Sequence, residues 1–474
     1  MDILVIESFS WSPHLETAGE IAITQAISGK KVGFSFINED NPDDIRVIPG
    51  NLLTKLIGVG WQRKVRQLEK YLRKYGVEIL HEESLSSQVY LQIKDFFNNT
   101  PQSLDDLKNY TYKDAELGLA TVSSLISQTK SLHPDPDANR LLIQRYLRFA
   151  STTYEKARAL MLRYQPKTII SFNGRFACAK AIFEAAKSLG IEVQYHERGA
   201  TYDRYQLYQE QPHDTSYIRQ LIQDYWQRSD LDKEEIGHSF YKRKKQGDGI
   251  GWISFVSTQQ KNLVPEKIKE RHQIVYFSSS DDEFAAVGDL VRQPIFKDQR
   301  DAMRFLIDWV ATQNDCDLTI RVHPHLQHKS SEDCEWWNSL QGKNLQVIPS
   351  NSNIDSYALM NWADVVISYG STAGIEAAYW GKPSILLGDS GYSGLGCVYE
   401  PANKAEVYAL LADRNLAPLP QEKCLPYGYF SLVMGIKYRY YSPANLSGGI
   451  FLGKSLNYMP EWYGVVRKLY RGIE

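Results

Sequence analysis

Three stretches put hydroxyls, imidazoles or carboxylates where strands should end. "DVVISYGSTAGIEAAYWGKPSILLG", residues 364–388, reads as strand, tight turn, helix, turn and strand. Gly370 and Gly374 permit close approach, while Ser371 and Thr372 offer hydroxyl donors. The open N–H groups and positive dipole end of such a helix start form a natural anion site. Glu376, just inside the helix, can accept from paired hydroxyls such as those of a ribose. Ordinary capping by Ser371 or Thr372 explains the same residues. "LTIRVHPHL" sets Arg321 within a strand and His323, Pro324 and His325 just beyond it. An imidazole beside a proline-stiffened turn can donate to a phosphate. The alternatives are a structural histidine or a metal site with His328, for which no cysteine is placed to help. "VYFSSSDDEF" ends another strand on Ser278, Ser279 and Ser280, where Ser280 and Glu283 also have capping-box spacing.

A second set of residues can move protons. "SFSWSPHLETAGE" follows the first strand and holds His14, Glu16 and Glu20. "YHERG" ends a later strand on His196, Glu197 and Arg198, and "FNGRF" contributes Asn173 and Arg175. Imidazole titrates near neutrality, which suits proton abstraction. Glu16 and Glu20 also fit as first-turn helix acids, Asn173 as an N-cap and Gly174 as a turn residue.

The elements around these stretches alternate. "DILVIES", "AGEIAITQAI" and "KKVGFSFI" read as strand, helix and strand, and apolar runs without alternation suit a parallel sheet covered on both faces. Residues 52–165 turn polar, Tyr- and Lys-rich and helical, as an insertion. Alternation resumes through residue 208, residues 209–248 read as an interdomain linker, and a second alternating unit spans 249–450. The expected fold is α/β: two doubly wound Rossmann-like domains with a helical insertion in the first. Ligands then sit beyond the carboxyl ends of the strands, in the cleft between domains. Residues 451–474 are expected to form a last helix packing back toward the first domain. Their basic and aromatic composition also fits an interfacial patch at an anionic membrane.

Composition narrows the classes. At 474 residues and 43% hydrophobic, the chain can build two or three sizeable cores. A net charge of −2 gives no footprint for nucleic acid. Five scattered cysteines without C-x-x-C spacing fit a reducing compartment. The opening "MDILVIESFSWSPH" reads as a strand and not a signal peptide, and no apolar run reaches the length of a membrane span. A cytoplasmic protein, at most peripheral to a membrane, is expected. "DCD" at 315–317 looks like a turn before a strand, and "KRKK" at 242–245 like a solvated linker.

Together, "FNGRFACAKAIFEAAKSLGIEVQYHERGA", "FSSSDDEFAAVGD", "RVHPH" and the 364–388 stretch resemble bacterial capsule-polysaccharide biosynthesis glycosyltransferases of the two-domain GT-B architecture. The HP turn and Ser-containing helix start are similar to donor motifs of sialyl- and Kdo-transferases, which use CMP-sugars. The Gly/Ser-then-Glu turn is similar to nucleotide-sugar 2-epimerases, which use UDP-sugars. The resemblance implies a nucleotide-activated sugar as co-substrate without fixing the base; no resident cofactor is expected, and no metal, for want of a convincing ligand set. By that likeness His323, Ser371 and Thr372 contact the donor phosphate and Glu376 the ribose or sugar, and the strand ends add Ser278, Ser279, Ser280, Arg321, Pro324 and Gly370 to the expected donor site. The resemblance implies an acceptor side, saccharide or lipid-linked, at Asn173 and Arg175, with His14, Glu16 or Glu197 as the base. The alternatives are a nucleotide-sugar epimerase or hydrolase, and a non-catalytic scaffold of a capsule-assembly complex.

Overall fold

The computed structural model describes residues 1–38, 41–42, 52–250, 254–266, 271–279, 286–291, 295–328, 331–445 and 448–456. Six strands come first: β1 (Ile3–Glu7), β2 (Val32–Phe36), β3 (Glu78–Ile79), β4 (Thr168–Phe172), β5 (Glu192–Arg198) and β6 (Arg204–Tyr208). Five follow: β7 (His272–Phe277), β8 (Cys316–Arg321), β9 (Leu345–Ile348), β10 (Val365–Ser368) and β11 (Ser384–Leu386). The last three are β12 (Ile436–Lys437), β13 (Tyr441–Asn445) and β14 (Gly448–Phe451). The chain divides into two compact units, one of residues 1–128, 135–211 and 435–474, the other of 129–134 and 212–434.

The first unit holds a sheet of order β12-β6-β5-β4-β1-β2-β3. β3, β2, β1, β4 and β5 run parallel, and β6 and β12 close one edge antiparallel. The chain therefore winds outward from β1 in both directions, which sets a topological switch point between β1 and β4. All five residues of β1 are buried, including its terminal Glu7. The insertion is helical as expected, with helices Leu52–Lys74, Ser87–Asn98, Leu104–Lys108, Leu117–Thr129 and Arg140–Tyr164. β3 within it is two residues long, too short to leave a periodic signal.

The second unit holds an all-parallel sheet of order β11-β10-β7-β8-β9, again wound outward from its first strand. Alternate residues of β7 and β10 enter different cores. Ile274, Tyr276, Val365 and Ile367 pack on one face, and Val275, Phe277 and Val366 on the other. That is why these strands read as continuous apolar runs. Both units are Rossmann-like, as expected.

Residues 209–248, read as a linker, instead supply helices Thr215–Gln227 and Lys233–Lys245 of the second unit. Asp214 caps the first by accepting from Ser216 and Tyr217 amides, and Asp232 caps the second. Gly237 and Gly428 let the second helix meet helix Leu425–Val433 backbone to backbone. A Cβ on Gly428 would lie 2.6 Å from the Gly237 carbonyl. The basic run then falls in a last helical turn, where cations oppose the dipole.

The sequence reading kept residues through 450 in the second domain, yet β12, β13 and β14 belong to the first unit. Glu20 explains the placement. Its buried carboxylate accepts the amides of Arg439 and Tyr440 at 2.8 Å and of Tyr441 at 3.0 Å. A charge sunk this deep needs such donors. The expected last helix begins on strand β14, and its residues 457–474 lie outside the described residues. Among the described residues, no helix is long and apolar enough to cross a membrane.

Candidate active site

In the first unit the switch point gathers ionisable groups. β1 delivers Glu7, the helix His14–Ile27 opens with His14, β4 is followed by Asn173, and β5 carries His196 and Glu197. The intervening loop is held by Lys64, whose Nζ donates to the Ser10 carbonyl at 2.6 Å and to Ser12 Oγ at 2.7 Å. Lys64 also pairs with Glu16 Oε1 at 3.0 Å, and Ser12 Oγ donates to the same oxygen at 2.7 Å. Glu16, 2% exposed, is thus a strut of the loop, a role that its first-turn position alone does not reveal.

His14 is buried, and its ring lies 3.8 Å from that of Phe172 between centroids. Burial pushes its imidazole well below the ordinary range, with the nearby charges of Arg198, His196 and Lys64 acting in the same direction. The ring is neutral at pH 7 and able to accept a proton. Its Nδ1 stands 3.9 Å from Glu197 Oε1, too long for a hydrogen bond but close enough for a charge pair once the ring is protonated.

Glu197 is itself fixed. Asn173 Nδ2 donates to its Oε2 at 2.6 Å, and the Arg198 amide donates to its Oε1 at 2.9 Å. Asn173 has a φ of +55°, and its Oδ1 accepts the Arg175 amide at 3.1 Å. It holds the turn after β4 and steers Glu197; it does not cap the following helix, whose N-cap is Phe176. The Arg175 guanidinium lies over the Phe176 ring at 4.4 Å.

The sequence reading missed Glu7. Its Oε1 lies 2.6 Å from His196 Nε2, and both side chains are fully buried. Burial pushes the Glu7 carboxyl up, opposed by the His196 charge. An acid closing an otherwise apolar strand was the available signal.

The second unit presents a different surface. Ser278 Oγ, almost fully buried, accepts the His323 amide at 2.8 Å, and Ser279 Oγ donates to the Tyr369 carbonyl at 2.9 Å. These serines tie the ends of β7, β8 and β10 together. Ser280 lies outside the described residues, as do Asp281, Asp282 and Glu283. His323 is half-buried, and its Nδ1 accepts the His325 amide at 3.2 Å, which puts the proton on Nε2 in the neutral ring. Pro324 opens the short 3-10 helix Pro324–His328.

Arg321 departs from its expected role. Its guanidinium donates to the carbonyls of Pro349 at 2.6 Å, Ser352 at 3.1 Å and Val322 at 3.3 Å. At 2% exposure, burial lowers its pKa to about 10. It braces the loop that follows β9. The carboxylates of Asp315 and Asp317 are likewise taken, by Arg414 and Arg271.

Gly370 has a φ of +85°, and a Cβ there would lie 2.9 Å from the Asp389 carbonyl, so only glycine fits the turn. Ser371 caps helix Thr372–Tyr379, its Oγ accepting the Ala373 amide at 3.3 Å, and its carbonyl accepts the Tyr392 hydroxyl at 2.6 Å. Thr372 Oγ1 donates to Glu376 Oε1 at 3.1 Å, and the Tyr357 hydroxyl donates to Oε2. Capping of this helix start is therefore observed. Among the described residues, no three His, Cys, Asp or Glu side chains converge as a metal would require.

No protein-family model and no curated protein sequence matches the chain. Solved structures do, and they include the kinds of protein that its motifs resemble. The β-Kdo 2,4 transferase KpsC of Thermosulfurimonas dismutans shares 12% identity over 65% of this chain and 92% of that one, at a TM-score of 0.35. UDP-GlcNAc 2-epimerase from Neisseria meningitidis, bound to UDP-GlcNAc, shares 10% over 90% and 97%, at 0.29. The glycosyltransferase SnogD from Streptomyces nogalater shares 13% over 92% and 96%, at 0.24. TM-scores this low establish no common mechanism, and the Rossmann-like character of both units rests on the chain's own strand order.

Proposed function

We propose that this protein is a glycosyltransferase of the GT-B type that moves a sugar from a nucleotide-activated donor to a hydroxyl of a capsule-type polysaccharide or its lipid-linked precursor. The observation that carries the reading is the neutral, buried His14 beside a carboxylate, Glu197, that Asn173 and a backbone amide hold in place. A neutral imidazole accepts the acceptor proton, and Glu197 stabilises the imidazolium that results. The acceptor oxygen bonds to the anomeric carbon as the bond from that carbon to the nucleotide phosphate breaks. In the second unit, the N-terminus of helix Thr372–Tyr379 and the Nε2–H of His323 are suited to the departing phosphate. Transfer by this route calls for no metal ion.

The nucleotide turn serves an epimerase or hydrolase equally well, and turnover separates the readings. Mass spectrometry should find a sugar-extended product only when an acceptor is supplied. Turnover of donor alone would favour the epimerase or hydrolase. A thermal-shift screen of CMP, UDP, GDP and dTDP in which none raises the unfolding midpoint would favour a scaffold.

A further inference from the structure

Glu376 is buried, yet both of its carboxylate oxygens are held by hydroxyls of this chain, Thr372 on Oε1 and Tyr357 on Oε2. A carboxylate held by hydroxyls is a carboxylate suited to a sugar hydroxyl in place of one of them. The two holders differ. Thr372 is exposed, on the first residue of its helix, and its hydroxyl can rotate away. Tyr357 is half-buried and packs against the core formed by Val275, Leu359 and Val366.

The backbone of Tyr357 is clamped as well. Asp355 Oδ1 accepts the amides of Tyr357 at 2.9 Å and Ala358 at 3.1 Å. Gln259 bonds the neighbouring Ser356 twice, receiving its amide at 2.8 Å and donating to its hydroxyl at 3.1 Å. Burial and the Glu376 charge push the Tyr357 phenol upward, so it stays a donor throughout the physiological range.

We propose that Tyr357 is the positioning residue of a ribose-binding carboxylate: its phenol keeps hold of Oε2 and aims Glu376, while one ribose hydroxyl displaces Thr372 from Oε1. This assignment rests on the donor-site reading above. It makes Tyr357 a determinant of ribose recognition without requiring it to touch the ligand.

Calorimetry with CMP and UDP, each against its 2′,3′-dideoxy form, tests it. Tyr357→Phe keeps the ring and should weaken the ribonucleotide that binds by about five- to twentyfold, the cost of a hydrogen bond to a charged group. The dideoxy form should bind as it does to the wild type. Thr372→Val should raise the preference for the ribonucleotide over its dideoxy form by about two- to threefold, because nothing is left for the ribose hydroxyl to displace. It is an independent reading should Tyr357→Phe fold poorly. Equal losses on both forms, or no loss, would overturn the assignment, as would Thr372→Val lowering that preference. If the wild type binds none of CMP, UDP, GDP and dTDP, the donor-site reading falls and takes this assignment with it; if only GDP or dTDP binds, that nucleotide and its dideoxy form take their place in the comparison. If a ribonucleotide binds and Tyr357→Phe leaves it unchanged, only this assignment falls.

Discussion

The ends of β1 and β5 carry ionisable side chains sunk below the surface: Glu7, His196 and, beside them, His14. The ends of β7, β8 and β10 carry serines, a half-buried imidazole and a glycine turn. Both sheets wind outward from a central strand in the same order. The frame is therefore common, and the residues just past the strands decide the chemistry. Burial with few donors moves a pKa and prepares a group to take a proton. Open amides and hydroxyls at a helix start instead prepare a surface to hold an anion without titrating. One frame thus offers two independent chemistries, and mutations should separate them.

The largest separation is expected at His14. His14→Ala should lower turnover by about 10²- to 10⁴-fold, the span of general-base catalysis, and leave nucleotide affinity unchanged. Steady-state kinetics beside calorimetry checks both halves; a fall in affinity with turnover intact would reverse the assignment of the two regions. The pH profile sharpens the same point. The folded-state value of His14 lies below the ordinary 6.5, so the base form persists as pH falls past 6.5. The acid limb of kcat/KM should therefore begin below pH 6.5. The same shift means that the unfolded chain binds the proton more readily, so this group costs stability increasingly as pH drops below 6.5.

Arg321 should show a stability effect. Arg321→Ala removes a buried guanidinium that donates to the carbonyls of Val322, Pro349 and Ser352, at about 1–3 kcal/mol in all. Urea unfolding should register this loss. Weaker nucleotide binding at unchanged stability would return Arg321 to the ligand surface.

His323→Ala and Ser371→Ala should weaken nucleotide binding by about 1–3 kcal/mol each, with the fold intact. Unchanged affinity in both would remove the anion site from the second unit. The smallest effect is expected from EDTA, in which turnover should persist. Loss of activity, restored by one divalent metal, would show a ligand set that the proposal lacks.

Much of this was legible in the sequence because it is local. The glycine turn at 370–374, the HP turn and the strand ends are each written within a few residues, and β1, β2, β4 and β7 to β11 were recognisable by their apolar runs. What escaped depends on partners far along the chain. Glu7 meets His196 across 189 residues, and Glu20 meets Arg439 across 419. Glu16 looked like a candidate base because Lys64, on another helix, could not be placed beside it. Arg321 looked like a phosphate ligand for the complementary reason. An arginine at a strand end is read by type, but in-register pairing with Phe277 and Ile348 puts it in a buried row. Residues 209–248 misled by polarity: their helices pack through Gly237, a contact that hydropathy does not register.

The grip of Glu20 on residues 439–441 bears on how the protein is made. The body of the second unit, 212–434, leaves the ribosome as one stretch, whereas the first unit waits for residues 435 onward to receive its edge strand β12. Until residues 439–441 are made, Glu20 lacks its three amide donors, so the second unit is expected to close ahead of the first. A nascent chain halted at residue 434 should show a protease-resistant second unit beside a first unit still open to cleavage. Of the two units, the one whose first strands come earlier in the chain is the one completed later.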